Sequence, residues 1–578
     1  MSAMLYACSA GSLLFSLFCF VPSFGVSALG FPLTLGFTAF LAVATRRFLA
    51  SPSRSRLGLL RKALEYLPFV AMTGFVLCRV EADLGKARDA VSALLWTALF
   101  ALSFIVLFLL SDKRIARRFP DLAVPQEPKD AKDRAKGDKG RKSVAAPAKK
   151  RPPLREAFEW IDALVQAACL VLLINLFIFQ LYAIPSESMV PEFMIGDRVV
   201  VLKTPSGPKF PLTEAGIPLM RSYNRGDIVV FNNPHYNDTR EARVRSFVSQ
   251  LVYMVSFTTV NINRDEFGAI KADPLVKRVT GVAGERLMMV DGVLYSQRAG
   301  DDGFSVVEED KTWATWNLEA LPRSEKAYVK DFRVDTEIFR RIESIESLRA
   351  NLDLDAAAAE SRALAARFRS LKGMPDLQRA DVDLIPKADR EVIALYQGND
   401  RVARYLLTTQ GGASWFESFM TGWIPNRARD DLFADRSFRL DVLLKLNYGK
   451  LIVRNAELLT SNASAGAFEA DSTRRSLMAE ANDLTNYLAA HDQRNMGPFP
   501  AAAGSYIPDG HFFLMGDNRF NSLDMRHSYE YRLVSVDPAD GWSFLYRSNL
   551  DPQAVPVSRI LGSASFRFWP PARIGRAR

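Results

Sequence analysis

Cysteine and histidine are both scarce in this chain of 578 residues, at four each. The cysteines are Cys8, Cys19, Cys78 and Cys169, and all four fall inside apolar runs. No disulfide framework therefore holds the long polar remainder, and no cysteine outside those runs can act as a nucleophile. Of the histidines, His491 lies in a helical stretch and His235 in a loop, with His511 and His527 further on. The G-x-S-x-G nucleophile elbow is missing too, so a Ser-His-Asp triad has little support. Acid is absent from residues 46–62, which carry six Lys/Arg, and sparse in 111–155, where 15 Lys/Arg meet six Asp/Glu. These two stretches account for the net charge of +10, and the rest of the chain is net negative. Both lie between apolar runs and read as cytoplasmic loops under the positive-inside bias. That placement argues against nucleic acid as a partner.

Five apolar runs are present, at 4–21, 26–44, 64–80, 91–110 and 163–181. Each approaches the ~20 residues needed to cross ~30 Å of hydrocarbon. The third is the weakest, with Glu65 and Arg79 at its ends and Pro68 inside. It is needed to keep the two basic stretches on one side. The N-terminus is then cytoplasmic and everything beyond the fifth run lies outside. The first run lacks a basic n-region and is followed by further runs, so it reads as a retained span, not a cleaved leader. Residues 121–153, rich in Lys, Ala, Pro and Asp without an apolar period, read as a disordered linker.

After the fifth run the texture turns to short β segments. "DRVVVLK", "GDIVVFNNP", "PLVKRVTGVAGERLMMVDGVLY", "GHFFLMGDN" and "ASFRFWPPARIG" are apolar runs cut by Gly, Pro, Asn and Asp. "VDGVLY" carries a hairpin turn signal. Between about residues 296 and 506 the period becomes helical, as at Ile338, Ile342, Ile345 and Leu348 or Leu477, Ala481, Leu484 and Leu488. A second interruption, 236–272, contains "RSFVSQLVYMVSFTTV". It is too short and polar to span; a buried helix or strand is the favoured reading, a helix in the membrane interface the other. The expected fold is a multi-span α-helical membrane anchor plus a mainly antiparallel all-β domain, interrupted by a largely α-helical insertion.

Directly after the fifth run comes "IPSESMVPEFMIGDRVVVLK", with Ser186 and Ser188 close to the expected bilayer surface. A serine hydroxyl needs a base. With histidine scarce, the alternative is a neutral lysine, whose ordinary pKa near ~10.4 leaves only about one amine in a few thousand unprotonated at pH 7. Apolar burial lowers that value, and a drop of about three units corresponds to roughly 4 kcal/mol. "PLVKRVTGV" supplies such a lysine: Lys277 stands between Leu275, Val276 and Val279 on a strand. By itself, a lysine in a strand is more often a surface residue with its amine in water.

Taken in order, "IPSESMVPEFMIGDRVVVLK", "NRGDIVVF", "VKRVTGVAGERL" and "MGDNRFNSLDMR" resemble the boxes of bacterial type I signal peptidases, membrane-bound Ser/Lys endopeptidases. The resemblance covers 163–294 and 512–574. It implies the family's two-sheet, coiled β fold for the catalytic part. It implies Ser188 as nucleophile, Lys277 as general base and Ser522 as the hydroxyl that orients the lysine. Ser186, with the Ser188 backbone N–H, takes the place of the oxyanion hole, and Arg278, Asp517, Asp524 and Arg526 those of supporting ion pairs. Tyr182, Ile184, Met189, Phe193, Leu275 and Val276 match positions lining shallow apolar pockets for small residues, as in Ala-x-Ala. Three positions depart from the family's usual residues: Glu192 for Thr, Phe520 for Asp and Met525 for Ser. "GDNRFNSLD" is not a calcium loop, because Arg519 and Phe520 occupy places that need oxygen ligands.

The resemblance implies removal of N-terminal signal peptides from exported preproteins, without metal or cofactor. Localisation is then the bacterial inner membrane, with the catalytic domain outside. Expected partners are signal-peptide-bearing preproteins and the lipid bilayer, with the export machinery a further candidate. The expected domains are 1–110 (four spans), 111–160 (basic linker), 161–183 (fifth span), 184–295 and 507–578 (catalytic β domain), and 296–506 (helical insertion). Two other readings are another Ser/Lys protease of the self-cleaving repressor kind and an inactive scaffold binding envelope partners through the insertion. The spans argue against the first, and the joint presence of Ser188, Lys277 and Ser522 against the second.

Overall fold

The computed structural model describes residues 1–20, 29–83, 85–122, 153–236, 239–256, 259–264, 268, 271–332, 334–373 and 383–577. The linker expected at 121–153 lies almost wholly outside them. The chain divides into two compact units. The first comprises Met1–Tyr182, Val200–Ser222 and Asn237–Lys271; the second comprises Ala183–Val199, Tyr223–Tyr236 and Ala272–Arg578.

The first unit is built on helices α1 (Ser2–Phe20), α2 (Gly30–Ala50), α3 (Arg54–Glu81), α4 (Lys86–Leu109) and α5 (Pro153–Phe177). All five are long and apolar enough to cross a membrane. The doubtful third run is the longest of them, at 28 residues. Pro68 stands inside α3 without ending it. A proline removes one backbone bond, but Leu57, Leu60, Leu64, Leu67, Ala71 and Phe75 keep a continuous buried stripe along the helix. At its far end Arg79 pairs with Asp89 of α4 at 2.5 Å. Near its middle the Tyr66 hydroxyl donates to Asp162 of α5 at 2.8 Å. Strands β1 (Phe179–Ala183) and β2 (Arg198–Leu202) follow α5. The segment after β2 inserts Phe210 among the helices, its ring 5.1 Å from Phe177, 5.5 Å from Trp96 and 6.0 Å from Phe75.

Helix α6 (Arg240–Val255) also belongs to this unit. Arg240 donates to the Glu81 carbonyl at the end of α3, at 2.5 Å. Of the whole helix only Ser249 is buried, while Val248 and Val255 are 43% and 74% exposed. The segment is thus helical, but the buried reading of 236–272 is corrected: apart from Ser249 the residues of this helix are half-buried or exposed.

The second unit is organised by antiparallel sheets. Strands β3 (Ile228–Phe231), β4 (Leu275–Gly281), β5 (Glu285–Val290), β6 (Val293–Arg298), β7 (Ser305–Val306), β8 (Met496–Phe499), β9 (His511–Met515), β10 (His527–Ser535), β11 (Leu545–Leu550), β12 (Val555–Pro556), β13 (Ile560–Trp569) and β14 (Gly575–Arg576) follow in chain order. One sheet runs β13-β3-β4-β9-β12 with β14 beside β13, another runs β7-β6-β5-β8, and β10 pairs with β11. The β5–β6 hairpin turns on Asp291 and Gly292, both at positive φ (53° and 79°), as the Asp-Gly signal requires. Val229, Val279, Leu287, Met289, Leu514 and Met515 fill the core between strands.

The helical period corresponds to α7 (Thr336–Ala350), α8 (Leu354–Leu371), α9 (Asn399–Thr408), α10 (Gly412–Thr421), α11 (Leu432–Thr460) and α12 (Ser472–Arg494). Asp335, Asp353, Asp431 and Asp471 cap the N-termini of α7, α8, α11 and α12 by accepting from backbone N–H groups. These helices pack around Phe368, Phe416, Phe419 and Tyr448, in a core shared with Val536, Phe544 and Tyr546 from the region of β10 and β11. Buried Lys445 of α11 is paired with Asp441 at 3.2 Å and with Asp540.

Candidate active site

Ser186 and Ser188 lie in the turn between β1 and β2. The turn is closed by mutual backbone bonds, Ile184 N–H to Asp197 O at 2.8 Å and Gly196 N–H to Ile184 O at 2.9 Å. Met189, Val190, Phe193 and Met194 are fully buried beneath it. This inward set forces the two serines outward: Ser186 is exposed, Ser188 half-buried, and their hydroxyls are 3.4 Å apart.

Lys277 is the third residue of β4, opposite Val229 of β3, and is only 2% exposed. On its other side β9 pairs Arg278 with Met515. Continuing that register by one residue puts Gly516 across from Lys277, on the same sheet face. A Cβ at Gly516 would collide with the Ser522 hydroxyl and with the Ser188 carbonyl oxygen. The space left by the missing side chain is therefore bordered by the Ser522 hydroxyl and the Ser188 carbonyl oxygen, on the sheet face that Lys277 shares. The Ser522 hydroxyl is buried and has no hydrogen-bond partner among the described residues. A buried hydroxyl without a partner is costly, and such a group beside a lysine face is suited to hold an amine.

Burial pushes the Lys277 amine down to about 8. The charges of Asp524 and Asp517 pull the other way, and that of Arg526 adds to the depression. Burial would raise the Asp524 carboxyl. The Arg526 charge and its hydrogen bonds at 2.8 and 2.9 Å override this, holding Asp524 well below the usual carboxylate range. Asp524 stays anionic and also receives the Gly516 N–H at 2.9 Å. Arg278 grips Asp517 through two bonds, at 2.8 and 2.6 Å. Each of the four ion-pair residues thus fixes the loop that follows β9.

The pocket residues are placed less uniformly. Met189 and Phe193 are 1% and 0% exposed, so they support the surface from beneath. Ile184 and Tyr182 are also buried; Leu275 and Val276, at the start of β4, are half-buried. None of the four histidines has a hydrogen bond to Ser186 or Ser188. His491 meets Asp492 and Tyr546, His527 meets Asn549, His235 meets Gln553 and His511 meets the Asp509 carbonyl. Among the described residues no group of three or more His, Cys, Asp or Glu is arranged to hold a metal ion.

Several residues that matter to this geometry have no role in the sequence reading. Gly516 and Asn518 lie within the quoted "MGDNRFNSLDMR", as does Arg519, which enters there only as a residue that excludes a calcium loop. Asn518 donates from its side chain to Glu187 O at 3.1 Å and from its backbone to Ser188 O at 3.2 Å. Arg519 pairs with Asp310 at 2.5 Å, and Trp313 lies under Arg278, 4.9 Å from ring centre to guanidinium. Asp310 and Trp313 carry no sequence signal. The departures also find their partners. Phe520 packs on Trp316 and Phe339, with ring centres 5.3 and 6.3 Å away. Met525 is fully buried in the strand core. Glu192 faces Arg567 at 3.6 Å.

The family described as "Signal peptidase, peptidase S26" matches residues 157–329 and 449–569, just over half of the chain. Among curated proteins, the "Signal peptidase I" of Buchnera aphidicola subsp. Schizaphis graminum is 40% identical over 80 residues, 14% of this chain and 26% of that protein. That of Haemophilus influenzae is 27% identical over 136 residues, 24% of this chain and 37% of the relative. That of Bacillus licheniformis is 34% identical over 83 residues, 14% and 38% respectively. These alignments span only 26% to 38% of the relatives' own lengths.

Proposed function

The chain belongs to the signal peptidase family, peptidase S26, and we propose on that premise that it is a membrane-bound serine endopeptidase removing N-terminal signal peptides from exported preproteins. The observation that carries the reading is the buried Lys277 amine, depressed to about 8. It faces a glycine whose missing side chain leaves one space to Ser188 and Ser522.

In the proposed reaction neutral Lys277 takes the proton of Ser188 as Oγ attacks the scissile carbonyl. The carbonyl oxygen becomes an oxyanion and receives hydrogen bonds from the Ser186 hydroxyl and the Ser188 backbone N–H. One such donor typically contributes about 3–4 kcal/mol to the transition state. Protonated Lys277 then gives its proton to the leaving amine, and the C–N bond breaks, leaving an ester on Ser188. Water attacks the ester while Lys277, neutral again, accepts its proton; Ser188 leaves with that proton and the new carboxyl terminus is released. Ser522 holds the amine toward Ser188 throughout. The Asp517–Arg278 and Asp524–Arg526 pairs keep the loop rigid and touch no substrate. Small residues at the first and third positions before the cut fit shallow pockets floored by Met189 and Phe193.

The substrate's own apolar segment lies in the bilayer, so the cleavage site is presented at the surface where α5 ends. The five apolar helices act as spans, with the N-terminus and the basic stretches at 46–62 and 111–155 on the cytoplasmic side. Helix α6 lies along the outer surface with its exposed Val248 and Val255 toward lipid. The helical stretch at 296–506 is read as an insertion into the catalytic domain, and within it residues 330–448 are unmatched by the family. The test is cleavage of a preprotein by the purified protein in detergent, with N-terminal sequencing of the product. Wild type should cut after a small residue and Lys277→Ala should not. Equal cutting by both would remove the Ser/Lys mechanism, and no cutting by either would favour an inactive scaffold.

A further inference from the structure

The strongest unused feature lies around the residue between the two serines. Glu187 is 4% exposed, although a carboxylate beside a surface turn has water within easy reach. Its side chain turns inward. Oε1 accepts the backbone N–H of Lys330 at 2.5 Å and of Asp331 at 3.3 Å, and Oε2 receives the Asn521 side-chain amide at 3.5 Å. A carboxylate receiving two successive backbone N–H groups is held in a small anion nest. Lys330 and Asp331 are the first two residues beyond the family-matched stretch.

These residues end a strap that runs from Asp310 across both motif loops. Asp310 pairs with Arg519. Thr315 exchanges backbone bonds with the second loop, its N–H to Asp517 O at 2.7 Å and its carbonyl to Arg519 N–H at 3.0 Å. Leu318 and Val329 pack on Val190 and Met194, the apolar floor under the serines. The strap also caps α7: Glu319 receives the Thr336 N–H at 2.9 Å and the Thr336 hydroxyl at 2.6 Å. The nucleophile's backbone is thus fixed from two directions. Asn518 takes the carbonyls of Glu187 and Ser188, and the strap takes the Glu187 side chain.

We propose that Glu187 is a positioning residue, through which the strap leading into the helical insertion fixes the Ser188 backbone for attack. The inference rests on the endopeptidase reading for its catalytic consequence and on geometry alone for the clamp. Reacting atoms must be held within a fraction of an ångström, and a 1 Å misplacement can cost about 10²-fold in rate. Losing the nest acceptor should therefore lower turnover more than binding.

The experiment compares the full chain in detergent with Glu187→Ala and Glu187→Gln, by preprotein cleavage kinetics and by amide hydrogen exchange. For Glu187→Ala the expected result is a kcat about 10²-fold lower with KM little changed. Exchange should quicken in 184–194 and at 329–331, with α7–α12 still protected. Glu187→Gln, which keeps a carbonyl acceptor, should recover part of the rate. The pH at which activity rises should be the same in all three, since Lys277 is untouched. Wild-type turnover by Glu187→Ala overturns the proposal. So does unchanged exchange at 329–331, or a rate loss matched by an equal loss of folded protein. If wild type does not cleave but exchange quickens as expected, the clamp stands and the endopeptidase reading falls.

Discussion

Replacing Lys277 by methionine should abolish cleavage and at the same time stabilise the protein at neutral pH. Burial takes the amine from 10.5 to about 8. At about 1.4 kcal/mol per unit, holding this lysine in its site costs the fold about 3 kcal/mol at pH 7. The folded state sheds the proton near 8 while the unfolded chain keeps it to about 10.5. Between these values the unfolded state binds more protons, so stability rises with pH and the cost disappears. Methionine has nearly the length of the lysine stem and no charge to bury, so it removes the cost at every pH. The assay is thermal unfolding of wild type and Lys277→Met at pH 7 and at pH 10, followed by intrinsic fluorescence. The variant should melt several degrees higher at pH 7, with most of the gap gone at pH 10. In parallel, wild-type cleavage should climb about tenfold per pH unit toward 8 and level off above it. A variant that melts with or below wild type at pH 7, or a gap unchanged by pH, would refute the reasoning, because the amine would then not be held against its charge.

Gly516→Ala should lose cleavage by about a hundredfold or more, since the new methyl group displaces Ser522 and Ser188 from their shared space; circular dichroism should show the fold retained. Asp524→Asn should destabilise by about 3–5 kcal/mol, read as a lower melting temperature, because it leaves the buried Arg526 charge without its anion. In Val255→Trp, the added fluorescence should be blue-shifted and quenched by brominated lipid in vesicles, as expected for α6 at the bilayer surface; quenching by aqueous iodide alone would place that residue in water.

The elements nearest the site were legible because their chemistry is local. "VKRVTGV" combines strand alternation with one lysine, and β4 carries Lys277 inside it as its third residue. "VDGV" requires positive φ at two residues, and the chain turns there. Four of the five apolar helices were evident from composition. The third needed the charge on the loops either side, because Pro68 weakens the local signal while the buried stripe of α3 is what keeps it helical. What escaped the sequence is what depends on contacts far apart in the chain. Phe520 looks like a fault in the motif until Trp316 and Phe339 are seen against it. The strap of Asp310, Thr315 and Val329 has neither a helical nor a strand period, because its side chains answer to two loops and not to one face. For α6, apolar content alone could not separate a buried helix from one left half-uncovered.

The docking of Phe210 has a practical corollary for anyone wishing to work without lipid. The chain passes between its two units five times, at 182–183, 199–200, 222–223, 236–237 and 271–272. Phe210 rests in a socket made partly by Phe75 and Trp96, which come from the third and fourth helices. A shortened version starting at residue 153 would keep the plug and lose the socket, baring an aromatic loop to solvent. Water-soluble forms of this protein should therefore be sought by trimming 204–222 together with the helices, not by removing the helices alone.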